Sequence, residues 1–525
     1  MRPIHLATAL LLPFAAVPVT AQTRAAATSA APARALPAPT SPDSTRAQDR
    51  VVVTKHVTRI GGTEVRYTAT TGTLVLRSAT GKARANVFFV AYTRDGQDPR
   101  TRPITFSYNG GPGAASIWLH MGLMGPKRVE MGPNGMQPRP PYQLMDNDES
   151  PLDVTDIVMI DPVQTGFSRA VAGEDPKQFT GVEADIASVS DVIRLYLTKF
   201  ERWPSPKYLL GESYGTMRSA GVAEYLQSHF GVELNGIVLV SSILDYLTKG
   251  YAPGNDLPYS LFLPTFTATA WYHKKLPADL QGDLQKAIAE SRAYALGDYL
   301  VALNKGNRLT AAERSAVAQK IARYTGLSPE FILHSNLRVT DPRFRKELLR
   351  DQGVTVGRLD GRFTGLDADA AGERQEYDPA NQAITGAYTA LFSDYVRRDL
   401  GWQSDLTYYT AGQVRPWDYA PFENRYLNLS EELRSTMAQN PALHVMVANG
   451  YYDMATPFTA SEHTFAHLGF EATYPERVSF KYYEGGHMMY VIPALRQQLK
   501  RDVAAFIAST KNVSAPAREA TGARN

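Results

Sequence analysis

Apolar and polar positions change their rhythm twice along this chain. Between residues 51 and 93, Val51-Val52-Val53 opens an extended run and Val65-Arg66-Tyr67-Thr68-Ala69 alternates. Gly72 and Gly81 punctuate turns, and Val87-Phe88-Phe89-Val90-Ala91-Tyr92 is continuously apolar. Alternation of period two between turn residues predicts antiparallel strands. Short apolar runs then alternate with helical stretches: 104–108, 156–160, a helix near 182–200, 208–210, a helix after 213, and 236–240. That order predicts parallel β-α-β units covered on both faces. From 245 to 419 the chain is mostly helix-like and charged, as in 280–303 and 310–325, without a strand rhythm. We read this stretch as a mainly helical insertion that caps the rest. The earlier rhythm returns at 443–448, with a helix near 459–468, a strand at 478–483 and a helix at 493–509. Residues 48–244 and 420–510 therefore read as two parts of one α/β domain, and no internal repeat interrupts them.

The ends read differently. Arg2, an apolar core over 6–17 and the small residues Val19-Thr20-Ala21 predict a secretory signal at 1–21. This stretch is short for a membrane span, and no later stretch holds 18 uninterrupted apolar residues. Residues 22–47 are rich in Ala, Pro, Thr and Ser and read as a flexible lead-in; 511–525 reads as a similar tail. The chain has no cysteine, which excludes disulfides, thiol catalysis and thiolate metal sites. Export without any cysteine fits a secreted or periplasmic bacterial protein. The 525 residues carry 55 basic and 52 acidic side chains, a net charge of +3, with no nucleic-acid footprint. Composition leaves the oligomeric state open.

Within this frame one motif carries chemistry. Gly211-Glu212-Ser213-Tyr214-Gly215 lies between the apolar run 208–210 and a helical stretch. A strand, a sharp turn and a helix are what an exposed nucleophilic serine requires, with small residues two places to either side. Such a serine needs an acid and a histidine further along, on loops after late strands. Asp453 follows Asn449-Gly450-Tyr451-Tyr452, just past the 443–448 strand. His487 follows Glu484-Gly485-Gly486, 34 residues beyond Asp453 and just past the 478–483 strand. His487 would take the Ser213 proton, and Asp453 would fix the histidine tautomer. Asn109-Gly110-Gly111-Pro112-Gly113 follows the 104–108 strand, and glycines there let a backbone N–H approach a developing oxyanion. His463 and His467 share a spacing that can bind zinc, but no third ligand accompanies them. A solvated or helix-packing histidine pair is the better reading, and no metal is expected.

Together these residues resemble the serine carboxypeptidase family, peptidase family S10, on the α/β-hydrolase fold. The resemblance covers roughly 85–245 and 440–508. It rests on Asn109–Gly113, on Asp161-Pro162-Val163-Gln164-Thr165-Gly166-Phe167-Ser168, on the Gly211–Gly215 elbow and on Gly486-His487-Met488. It implies a mostly parallel sheet with helices on both faces, and it does not cover the helical insertion. It implies Ser213, Asp453 and His487 as the catalytic residues, and the N–H groups of Gly111 and Tyr214 as the oxyanion hole. Asn109, Gly110 and Glu212 would hold the terminal carboxylate of a peptide. For that, Glu212 must be protonated, so it is expected to titrate high and to favour acid pH. The implied function is an exported serine carboxypeptidase acting through an acyl-enzyme on peptides with a free C-terminus, without a cofactor. The chain departs from the family at Ser107, where a Trp is usual, at Ala114, where a Cys is usual, and at Leu123, which aligns with a carboxylate-binding Glu. These departures keep an esterase or acyltransferase on the same scaffold as the alternative.

Overall fold

The computed structural model describes residues 47, 49–469 and 474–511. The expected signal at 1–21, nearly all of the lead-in and residues 512–525 of the expected tail lie outside the described residues.

A 10-stranded sheet forms the centre. Arg50–Ile60, Thr63–Arg77 and Ala83–Arg94 pair antiparallel in sequence order, as their alternation predicts. Ala83–Arg94 then meets Asp156–Ile160, again antiparallel. From there the order is Asp156–Ile160, Ile104–Tyr108, Lys207–Glu212, Gly236–Val240, His444–Gly450 and Val478–Tyr483, with every neighbour parallel. Except for the edge strand Val478–Tyr483, these parallel strands are buried almost throughout, so they read as continuous apolar runs rather than alternations. Val182–Lys199, Tyr214–Phe230 and Phe458–Ala466 lie on crossovers between parallel strands, and Pro493–Thr510 follows the last strand and packs on the sheet. This is the α/β-hydrolase arrangement that the sequence implied.

The sheet divides two large cores. One holds Ile193, Met217, Tyr214, Leu239 and Val447; the other holds Tyr208, Leu210, Met446, Tyr490 and Phe506. The segment between Gly236–Val240 and His444–Gly450 contains the helices Leu257–Tyr272, Leu284–Tyr294, Ala311–Thr325 and Pro379–Arg398. Part of it has a separate core around Phe262, Phe266, Ile321 and Phe344. The Pro379–Arg398 helix instead buries Ile384, Tyr388, Phe392 and Tyr395 in the second core of the sheet.

Two expectations for this segment change. The helical run expected at 280–303 is broken at Gly282-Asp283, where Asp283 caps a new helix, and again by a π-turn at Ala295–Tyr299. Strands also occur where no rhythm was legible: Val354–Val356 pairs antiparallel with Thr364–Leu366. Three residues are too few for alternation to register.

Among the described residues no helix is long and apolar enough to cross a membrane.

Candidate active site

The chemistry-bearing residues collect at the C-terminal ends of the parallel strands. Ser213 follows Lys207–Glu212 and has φ 61° and ψ −130°, a backbone conformation rare for a side-chain-bearing residue. The turn exposes Ser213 in part while Glu212 and Tyr214 on either side stay buried. Its N–H donates to Val240 O at 3.0 Å, which ties the turn to the next strand. The Tyr214–Phe230 helix starts immediately afterwards, so its free N–H groups and dipole face the hydroxyl.

The acid and histidine loops are built around each other. Asp453 is fully buried and receives four donors. Ala455 N–H reaches Oδ1 at 2.8 Å and Thr456 N–H reaches it at 3.0 Å; the Thr456 hydroxyl reaches Oδ2 at 2.6 Å and His487 Nδ1 at 2.7 Å. Burial pushes the Asp453 carboxyl up, but His487 and the Thr456 donors outweigh it and hold it below the usual range. With Nδ1 bonded to Asp453, His487 keeps Nε2 free for a proton. Ser241, the residue after Val240, donates its N–H to Ala448 O at 2.8 Å and its hydroxyl to His487 O at 2.6 Å. Ser213 and His487 therefore both hang on the end of the Gly236–Val240 strand.

The segment 358–362 packs onto this assembly. Met454 N–H donates to Arg358 O at 3.0 Å, and His487 N–H donates to Leu359 O at 2.5 Å. Arg362 bonds Asp360 and reaches Glu484 O at 2.6 Å. A Cβ at Gly486 would collide with Leu359 O and with Asp360, which is why the histidine loop needs glycine there. None of 358–362 was singled out in the sequence, because nothing in an unaligned charged segment marks a backbone carbonyl as a partner.

The glycine loop lies against the elbow. A Cβ at Gly110 would strike Tyr214 N and Gly215 N, so the two backbones touch. Among the described residues neither Gly111 N–H nor Tyr214 N–H donates to another group of the chain, which leaves both free for an oxyanion. Asn109 is locked from three sides: its O accepts from the buried Arg218 at 2.6 Å, its Oδ1 from Leu119 N–H at 3.1 Å, and its Nδ2 donates to Glu212 Oε1 at 2.7 Å. The Tyr490 hydroxyl donates to Glu212 Oε2. Burial pushes the Glu212 carboxyl up, the charge of His487 and the donors Tyr490 and Asn109 pull it part of the way back, and with the charge of Asp453 it stands at about 7.

Tyr490 and Thr456 were missed in the sequence. Each lies three residues after an expected catalytic residue, and each hydroxyl reaches a buried carboxylate. Leu123 is buried at 1% exposure, and next to it Gly122 rests against the Tyr490 ring and the Tyr388 hydroxyl. Ser107 is buried on its strand, and among the described residues its hydroxyl finds no partner. Ala114 bridges to Ala411. His463 and His467 stack at 4.2 Å, and among the described residues no group of three or more metal-ligating side chains forms.

The family model described as "Serine carboxypeptidase" matches residues 65–500. Carboxypeptidase sxa2 from Schizosaccharomyces pombe is 26% identical over 185 residues, which is 34% of this chain and 33% of that protein. The match thus spans about a third of the curated relative's length. Among solved structures, the peroxisomal α/β-hydrolase Lpx1 from Saccharomyces cerevisiae is 8% identical, with 90% of this chain and 93% of that chain covered and a TM-score of 0.35. A thermostable carboxyl esterase from Bacillus coagulans is 13% identical, with 84% and 98% covered and a TM-score of 0.32.

Proposed function

We propose that this chain, which belongs to the serine carboxypeptidase family, is an exported enzyme that releases C-terminal amino acids from peptides. The observation that carries this reading is Glu212, a buried carboxyl pushed up to about 7 beside Ser213. Below that pH it is neutral and able to donate a hydrogen bond, and a peptide's terminal carboxylate is the group such a donor suits.

The mechanism follows from the donors. Ser213 Oγ attacks the last peptide carbonyl while His487 Nε2 takes its proton. Asp453, held anionic by four donors, steadies the imidazolium that forms. Gly111 N–H and Tyr214 N–H receive the oxyanion. His487 returns its proton to the leaving amine. The released amino acid takes with it the carboxylate that Asn109, Gly110 N–H and Glu212 had held. Water then attacks the acyl-enzyme by the same route in reverse.

One observation favours a second reading, an esterase or acyltransferase. Leu123 and Ser107 supply no ionisable contact to a carboxylate, so Glu212 and Asn109 would act without them. Hydrolysis of an N-blocked dipeptide beside its C-terminal amide and methyl ester, from pH 4 to 8 with Ser213→Ala as control, separates the two. Cleavage of the free acid well above the amide, fading as pH rises through about 7, is expected. Ester cleavage without preference for the free acid would move the assignment to the second reading. Export is tested by N-terminal sequencing of the mature protein from its native host, which should begin near Gln22.

A further inference from the structure

The two cores of the sheet give Ser213 two distinct sides. Glu212 reaches Tyr490, which packs with Met488, Met489 and Leu123 on one face. Tyr214 belongs to the core of the opposite face, and Tyr246 and Trp417 lie against that same core. Trp417 meets Tyr214 edge-on at 5.6 Å. A peptide laid across Ser213 with its carboxylate at Glu212 therefore sends its acyl portion toward Tyr214, Tyr246 and Trp417.

Two cations stand there. Lys249 Nζ lies 5.6 Å from the Tyr246 ring and donates to Ala455 O at 3.0 Å. Arg358 is anchored at the preceding residue of the same loop, through its carbonyl to Met454 N–H, and its side-chain charge acts on both Tyr246 and Lys249. Both side chains are half-buried, and among the described residues neither makes an ion pair. The carboxylates that act on Lys249, Asp341 and Asp453, are committed elsewhere. Asp341 accepts from Arg345 at 3.0 Å and Asp453 from His487 at 2.7 Å. Burial and the like charge of Arg358 pull the Lys249 ammonium down to about 8, against the smaller effects of Asp341 and Asp453. Two half-buried like charges without a counter-ion gain most when an anion enters between them.

We infer that Lys249 and Arg358 form an anion-accepting subsite on the acyl side of Ser213, which selects peptides with Asp or Glu at the penultimate position. Tyr246 and Trp417 offer apolar faces to the methylenes of that side chain. The inference rests on the reading that Ser213 is the nucleophile and that Glu212 faces the leaving group.

Two substrate series on the full-length enzyme test it. The first is N-blocked dipeptides with Glu, Gln, Leu or Lys before a constant terminal Phe. The second is p-nitrophenyl esters of the same four N-blocked amino acids, which carry the acyl side alone. Wild-type kcat/KM should favour Glu over Gln by about tenfold in both series, with Lys the poorest. Lys249→Met and Arg358→Gln should bring the Glu-to-Gln ratio toward one. Lys249→Glu should reverse the order, favouring Lys, a gain that misfolding cannot produce. Each ratio is taken within one enzyme, so overall losses cancel. A ratio near one in wild type, or one unmoved by all three variants, overturns the inference. If the esters show the preference while no dipeptide acid is cleaved, the subsite stands and the carboxypeptidase reading falls.

Discussion

Asp453 and Glu212 are two buried carboxyls at one site with opposite charge behaviour. Burial alone pushes both toward the neutral form. Asp453, at 0% exposure, receives four donors including His487 and is held below the usual carboxylate range. Glu212, at 3% exposure, receives two, from Asn109 and Tyr490, and rises to about 7. The number and charge of the donors, rather than depth of burial, separates a carboxylate that stays ionised from a carboxyl that can give a proton or a hydrogen bond.

The most damaging way to break this contrast is to neutralise the charged member. Asp453→Asn should leave the fold intact by circular dichroism and lower kcat about 10⁴-fold, because His487 loses the partner that sets its tautomer. An unchanged kcat would remove Asp453 from the mechanism. Thr456→Val deletes one donor and leaves the charge. It should lower kcat by about tenfold and destabilise the protein by about 1–2 kcal/mol in urea titration, the cost of an under-satisfied buried anion.

The neutral member is tested by making it permanently neutral. Glu212→Gln keeps a donor at every pH, so KM for a peptide acid should stop rising above pH 7 and increase only about threefold at pH 5. A variant whose KM still rises through pH 7 would assign that limb to another group. Tyr490→Phe is subtler. It removes a donor that favours ionised Glu212, so the same limb should move to higher pH with little change in kcat. A purely structural tyrosine would lower kcat and leave the limb in place.

The smallest effect is on stability. Glu212 binds its proton more tightly folded than unfolded, so its contribution is fully present below the ordinary 4.5 and is lost as pH rises toward about 7. Asp453 has the opposite sign: its contribution is present above its unfolded value and is lost as pH falls through its depressed folded value. Denaturation from pH 2 to 8 should show a flatter neutral limb in Glu212→Gln and, below pH 4, a flatter acid limb in Asp453→Asn.

Much of this site was legible because its motifs join short strands to tight turns. The elbow, the Asn109–Gly113 loop and the Gly485-Gly486 lead to His487 announce themselves through glycines at fixed distances from apolar runs. Tyr490 and Thr456 gave no such signal, since a single hydroxyl in a loop says nothing of where it points. Lys249 and the 358–362 segment were hidden for another reason. They lie in or beside an insertion whose helices follow ordinary amphipathic patterns, and their role depends on which strand end they meet.

By itself the sequence determined the order of the main sheet strands with their covering helices, and the residue types that can carry acyl transfer. These are local matters, decided by hydrophobic period, turn chemistry and motif spacing within a few residues. Only the tertiary structure decided how many donors each carboxyl receives, which of two cores faces each side of Ser213 and which cations, among the described residues, are left without an anion. Those outcomes depend on groups from segments up to hundreds of positions apart, and the chain brings them together only when the sheet and both its cores are formed.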